Sequence, residues 1–66
     1  MEQKKNKPNC RLIGEDGNIF NLLSIASITL KENGMATESK EMYDRVHSCG
    51  SYDEALMIIG DYVNIC

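Results

Sequence analysis

In 66 residues the chain has no tryptophan and only one phenylalanine (Phe20), one proline (Pro8) and one histidine (His47). With one histidine and three cysteines, Cys10, Cys49 and Cys66, none of them in a C-x-x-C pair, the ligand spacing of a tetrahedral zinc site is missing. No metal and no other cofactor is expected. His47 has no nucleophile at a family-like spacing, and Cys49, two residues on, reads as a thiol lining the core. The neighbouring acids Asp53 and Glu54 are explained by helix capping. The chain is therefore read as non-enzymatic. No apolar stretch reaches the roughly 20 residues that cross a bilayer, so no membrane partner is expected. The longest uncharged run, Gly17 to Leu30, reads as a buried core helix. The polar residues ahead of Cys10 lack an apolar h-region, which gives the expectation of a cytoplasmic protein with reduced thiols.

Basic residues are scarce in the body. From Cys10 onward Arg11, Lys31, Lys40 and Arg45 stand against nine acids. Such a body lacks the clustered Lys and Arg of a phosphate-backbone footprint, so DNA is not an expected partner. The bases concentrate instead at Lys4, Lys5 and Lys7. Residues 1–9 read as a disordered basic tail and residues 10–66 as a single helical domain.

What remains is 42% hydrophobic and 26% charged, a globular composition. A chain of this length buries only about 60% of the surface that its unfolded form exposes, and usually needs a disulfide, a metal or a partner to hold it. With the first two set aside, a second copy is the expected staple.

The expected fold is all-α, a compact three-helix domain with a short N-terminal extended segment, dimeric. Cys10–Ile13 is the extended piece, closed by Gly14 and the turn at 15–18, and it must pair or pack with something, across the dimer if necessary. Helix 1 should run from Asn18 or Ile19 to Asn33, capped by Asn18 and ended by Gly34. Ile19, Leu22, Leu23, Ala26 and Leu30 share one stripe, with Ile25 and Ile28 on the opposite face. Helix 2 should follow Thr37 as N-cap and end near Ser48. Helix 3 should open on the S-x-x-E capping box of Ser51 and Glu54 and carry its apolar stripe through to Ile65. Helices 1 and 3 then hold more apolar surface than one small core covers. Ile25, Ile28, Ile58, Tyr62 and Ile65 are the candidate interface of a homodimer.

One segment has binding character. Ser48, Gly50, Ser51 and Tyr52 form a small turn into a helix start, with Arg45 just upstream, and backbone N–H groups there attract anions. This supports an alternative reading as a binder of a small anionic ligand such as a nucleotide. A helix-turn-helix reading of helices 2 and 3 fails on charge, because its recognition helix would carry Asp53, Glu54 and Asp61 and no Lys or Arg.

Three segments also carry a resemblance. Leu12-Ile13-Gly14-Glu15-Asp16-Gly17-Asn18-Ile19-Phe20-Asn21-Leu22, Lys40-Glu41-Met42-Tyr43-Asp44-Arg45-Val46 and Ser51-Tyr52-Asp53-Glu54-Ala55-Leu56 resemble small uncharacterised accessory proteins encoded on phages, plasmids and integrated elements of Gram-positive bacteria. The likeness spans roughly Cys10 to Ile65. Those relatives carry a basic residue at the position of Ile28 and a serine at that of Cys49. The resemblance thus implies a loss of positive charge here and a gain of apolar surface, which favours the interface over the anion site. The expected function is a non-catalytic protein-interaction module of a mobile genetic element, working as a homodimer on an unidentified protein partner.

Overall fold

Asn18 starts the first helix by accepting a hydrogen bond on its side chain from the Phe20 N–H at 2.9 Å, which satisfies one of the donors a helix start leaves free. In the computed structural model, which describes residues 7–66, α1 runs Ile19–Glu32. Its end is a Schellman motif. Gly34 takes φ +73°, the Met35 N–H donates to the Leu30 carbonyl at 2.8 Å, and the Gly34 N–H donates to the Lys31 carbonyl at 3.1 Å. Only glycine adopts that φ at little cost. The motif buries Met35 among the core residues and points the chain straight into the next helix.

That geometry moves the start of α2, which spans Ala36–Ser48 with Met35 at its N-cap and no side-chain cap. Thr37, the expected cap, lies inside the first turn. The anchored Met35 side chain outweighs the local capping preference. α3 spans Tyr52–Tyr62. Its capping box forms with a shift of one residue: Ser51 Oγ accepts from the Glu54 N–H at 3.2 Å, but Glu54 Oε1 accepts from the Gly50 N–H at 2.8 Å.

The expected extension of helix 3 to Ile65 is corrected. The helix stops at Tyr62 and Val63 is extended. A two-residue strand β1, Asn9–Cys10, pairs in parallel with β2, Asn64–Ile65, in the register Asn9 to Asn64 and Cys10 to Ile65. The contact continues past the strands, because Leu12 and Ile13 both donate backbone N–H groups to the Cys66 carbonyl, at 2.8 and 2.9 Å. The extended segment therefore pairs within the chain, and its ladder is not available for pairing across a dimer. Parallel strands need a long crossover, and here the crossover is the whole three-helix body.

The strand pair also shifts the tail boundary. The Asn64 N–H donates to the Pro8 carbonyl at 2.8 Å and Lys7 Nζ donates to the Gly60 carbonyl at 2.9 Å, so residues 7–9 belong to the fold. The rest of the expected tail lies outside the described residues.

The core draws Leu22, Leu23, Ala26 and Leu30 from α1, Met42 and Val46 from α2, and Ala55, Ile58, Ile59 and Tyr62 from α3, closed by Cys10, Leu12 and Val63. Ser27 and Ser39 are buried where α1 meets α2, and their hydroxyls hydrogen-bond each other. Two small residues let the helices approach closely, and the shared bond leaves neither hydroxyl unpaired. Ile58 and Tyr62, expected on an interface, are buried here at 8% and 9% exposure. That face is turned toward α2: Tyr62 bonds to Arg45 and Glu41, and Ile58 lines a groove with Arg45, Ser48 and Cys49. Ile25 is half-buried against the core, whereas Ile28 and Ile65 stay exposed. The uncharged run Gly17 to Leu30 is also only half core: its outer face, with Phe20, Ser24 and Ile28, is open to solvent.

Candidate functional site

The turn between α2 and α3 is held in extended backbone at Cys49 and Ser51. It separates two grooves, and these divide the five residues singled out from sequence. Arg45 and Ser48 line one groove of about 440 Å³, with Cys49, Glu54, Met57, Ile58 and Asp61. Gly50, Ser51 and Tyr52 line the other, of about 340 Å³, with Phe20, Val46 and His47 among its walls. Arg45 and Tyr52 thus do not converge on one ligand.

Arg45 is also engaged elsewhere. Its Nη1 donates to the Tyr62 hydroxyl at 3.2 Å, its Nη2 lies 3.2 Å from Asp61 Oδ2, and its guanidinium stands 5.5 Å from the Tyr62 ring centre. Tyr62 in turn donates its hydroxyl proton to Glu41 Oε1 at 2.9 Å. The hydrogen bond from Tyr62, with help from Asp61, raises the Arg45 pKa above its ordinary value. Because the ion pair with Asp61 is exposed, it adds little to stability. It does occupy the cation an anionic ligand would need.

Burial raises the Tyr62 pKa, the Arg45 hydrogen bond opposes this, and Glu41 adds to it by accepting the phenolic proton. A raised folded-state pKa means the native state holds the proton more tightly than the unfolded chain. The contribution is therefore complete below the unfolded phenol pKa of about 10 and is lost as pH rises through the higher folded value. Alkaline denaturation followed by the tyrosinate absorbance should show stability falling above about pH 10. Tyr62→Phe should remove that alkaline dependence, and an unchanged profile in the variant would exclude Tyr62 as its source.

The second groove is built from aromatic rings on all three helices. Tyr43 and His47, one turn apart on α2, stack with centroids 6.0 Å apart. His47 meets the Phe20 ring at 6.4 Å, tilted by 39°. Tyr52 also lines the groove, its hydroxyl donating to the Gly17 carbonyl, which ties the start of α3 to the loop before α1. Phe20 is nevertheless 62% exposed and Tyr52 45%. Among the described residues the groove lining holds no Lys or Arg, and Asp53 and Glu54 follow Tyr52 directly. Such a site favours an apolar or ring-shaped group flanked by positive charge, and disfavours phosphate.

Sequence reasoning named Tyr52 but missed Phe20, which lines the same groove. The i, i+4 spacing of Tyr43 and His47 was a visible signal. Phe20 lies at the far end of another helix, and no local pattern connects it to them. Compared with protein-family models, curated proteins and solved structures, the chain matches none. Among the described residues no helix is long and apolar enough to cross a membrane.

Proposed function

We propose that this chain is a non-catalytic protein-interaction module whose aromatic groove receives an apolar anchor from a basic segment of a partner protein. The observation that carries this reading is the pair of exposed rings, Phe20 and Tyr52, lining one groove that holds no Lys or Arg among the described residues. Exposed aromatic side chains that bracket a concave surface supply large contact area at low entropic cost, and such residues dominate interface energies. The acidic body supplies the long-range attraction for a positively charged partner. In the setting that the resemblance implies, a mobile genetic element, that partner is a host or phage protein. The nucleotide alternative stands lower, because Arg45 is paired with Asp61 in the other groove and the helix start at Ser51 is already capped by side chains.

Three probes separate the readings: a synthetic peptide with one tryptophan flanked by lysines, the same peptide with glutamates in their place, and AMP. Titrations followed by NMR at the His47 and Tyr52 rings should show shifts with the lysine peptide and none with the other two. Tyr52→Ala should weaken the lysine peptide about tenfold. Shifts with AMP at lower concentration than with the peptide would overturn the proposal in favour of the nucleotide reading.

A further inference from the structure

Asparagine is followed by glycine once in this chain, at Asn33-Gly34. Both residues are exposed, at the joint between α1 and α2. The backbone nitrogen after an asparagine can attack the side-chain carboxamide carbon. The N–H proton passes to solvent base, the new C–N bond closes a five-membered succinimide ring, and the carboxamide nitrogen leaves as ammonia. Water then opens the ring at either carbonyl, giving aspartate or isoaspartate. Solvent is the only co-reactant. Glycine in second place favours the attack, because no Cβ crowds the nitrogen.

In the folded chain hydrogen bonds occupy both reacting groups. Asn33 Nδ2 donates to the Thr29 carbonyl at 2.8 Å. The Gly34 N–H, which must lose its proton to attack, donates to the Lys31 carbonyl at 3.1 Å. The next residue, Met35, fixes the turn from below, with its N–H on the Leu30 carbonyl and its side chain buried. We propose that Asn33 is a self-modification site held shut by the end of α1: the ring closes only when this turn opens, and the product keeps the turn from closing again. Isoaspartate routes the chain through the side-chain carbon, adding one methylene to the backbone between Leu30 and Met35, so the bonds back to Leu30 and Lys31 lose register. Aspartate replaces a donor by a carboxylate beside the Thr29 carbonyl and puts negative charge at the negative end of the α1 dipole. Either product loosens Met35, which is also the N-cap of α2, a start with no side-chain cap. A brief local opening is thereby converted into a lasting loosening of the α1–α2 joint. Asn33 and the groove residue Phe20 lie at opposite ends of α1, so this inference does not rest on the groove.

Incubation at mildly alkaline pH, followed by intact mass, should show a gain of about 1 Da, the difference between a carboxamide and a carboxyl group. Peptide mapping should place it at residue 33. The gain should be at least about tenfold slower in the folded chain than in the same chain unfolded in guanidinium chloride. Asn33→Gln, whose longer side chain would have to close a six-membered ring, should abolish it. Met35→Ala should deamidate several-fold faster than Val63→Ala, a buried position beyond the end of α3, under conditions that leave the same fraction of each chain folded. The purified isoaspartyl chain should have lost amide-exchange protection at Gly34 and Met35. Equal rates in the folded and unfolded parent, or a gain that survives Asn33→Gln, would overturn the inference. Equal rates in the two alanine variants would also overturn it, since opening would then be global. Retained protection in the isoaspartyl chain would refute the one-way step. The parent comparison and Asn33→Gln decide the matter even where Met35→Ala does not fold.

Discussion

Leu23→Ala should remove most of the stability of this domain. Leu23 is fully buried among α1, α2 and α3. Truncating a buried leucine costs about 2–5 kcal/mol, the transfer energy of the lost atoms plus the cavity left behind. A chain of 66 residues has roughly 3–10 kcal/mol in total, at about 0.05–0.15 kcal/mol per residue. Urea unfolding monitored by helical circular dichroism should show the midpoint fall by half or more, with Leu23→Ala partly unfolded without denaturant at the low end of that range. Met57→Ala is the control: Met57 is 73% exposed, and its truncation should leave the midpoint nearly unchanged. Equal effects of the two substitutions would mean that the packing described for α1 is wrong.

Removal of residues 64–66 should release the N-terminal arm while the helices persist. The arm is tied down by backbone hydrogen bonds from Asn64 to Pro8 and from Cys66 to Cys10, and by those from Leu12 and Ile13 to the Cys66 carbonyl. Asn64 Nδ2 adds a bond to the Lys7 carbonyl at 3.1 Å. Without β2, burial of Cys10 and Leu12 would have to hold the arm alone. Burial of Leu12 is worth about 1.5–3 kcal/mol, which does not offset about 1–2 kcal/mol of backbone ordering for each residue of the arm. The truncated chain should therefore lose amide-exchange protection at Leu12 and Ile13 as the arm comes away, with the entropy regained offsetting much of the burial lost at Cys10 and Leu12. Helical circular dichroism should change little at low temperature. Retained protection at Leu12 after truncation would show that the core grips the arm without the ladder.

These two expectations bear on how a chain this short holds together. Length and cysteine spacing left a partner as the expected staple. The structure adds an internal one, the clasp between β1 and β2, which draws residues 7–9 into the fold. It also changes which residues are free to bind. Ile58 and Tyr62 satisfy the helical periodicity of an unburied face, and periodicity alone cannot show that α2 will cover it, with Arg45 and Glu41 bonded to Tyr62. Ile28 satisfies the same periodicity and stays open, because no segment among the described residues reaches the outer side of α1.

Arg45 makes a similar point within the candidate site. Its proximity in sequence to the 48–52 turn suggested a shared anion site. The α2 helix instead aims its side chain toward Tyr62 and Asp61, while Tyr52 lines the other groove with Phe20. Adjacent stretches of chain joined by a tight turn diverge in direction, so closeness in sequence does not place two side chains in one cavity.

By itself the sequence determined the local features: three helices, the Asn18 and Ser51 caps, the glycine end of α1 and the buried stripe of α1. Those depend on backbone hydrogen bonds and side chains within a few residues, where spacing is the same as position. Only the tertiary structure decided the pairing of the chain's two ends, the burial of Ile58 and Tyr62, the engagement of Arg45 and the meeting of Phe20 with His47. Each of these joins residues far apart in sequence, and which distant surfaces meet is set by the shared burial of all three helices together, which no local pattern encodes.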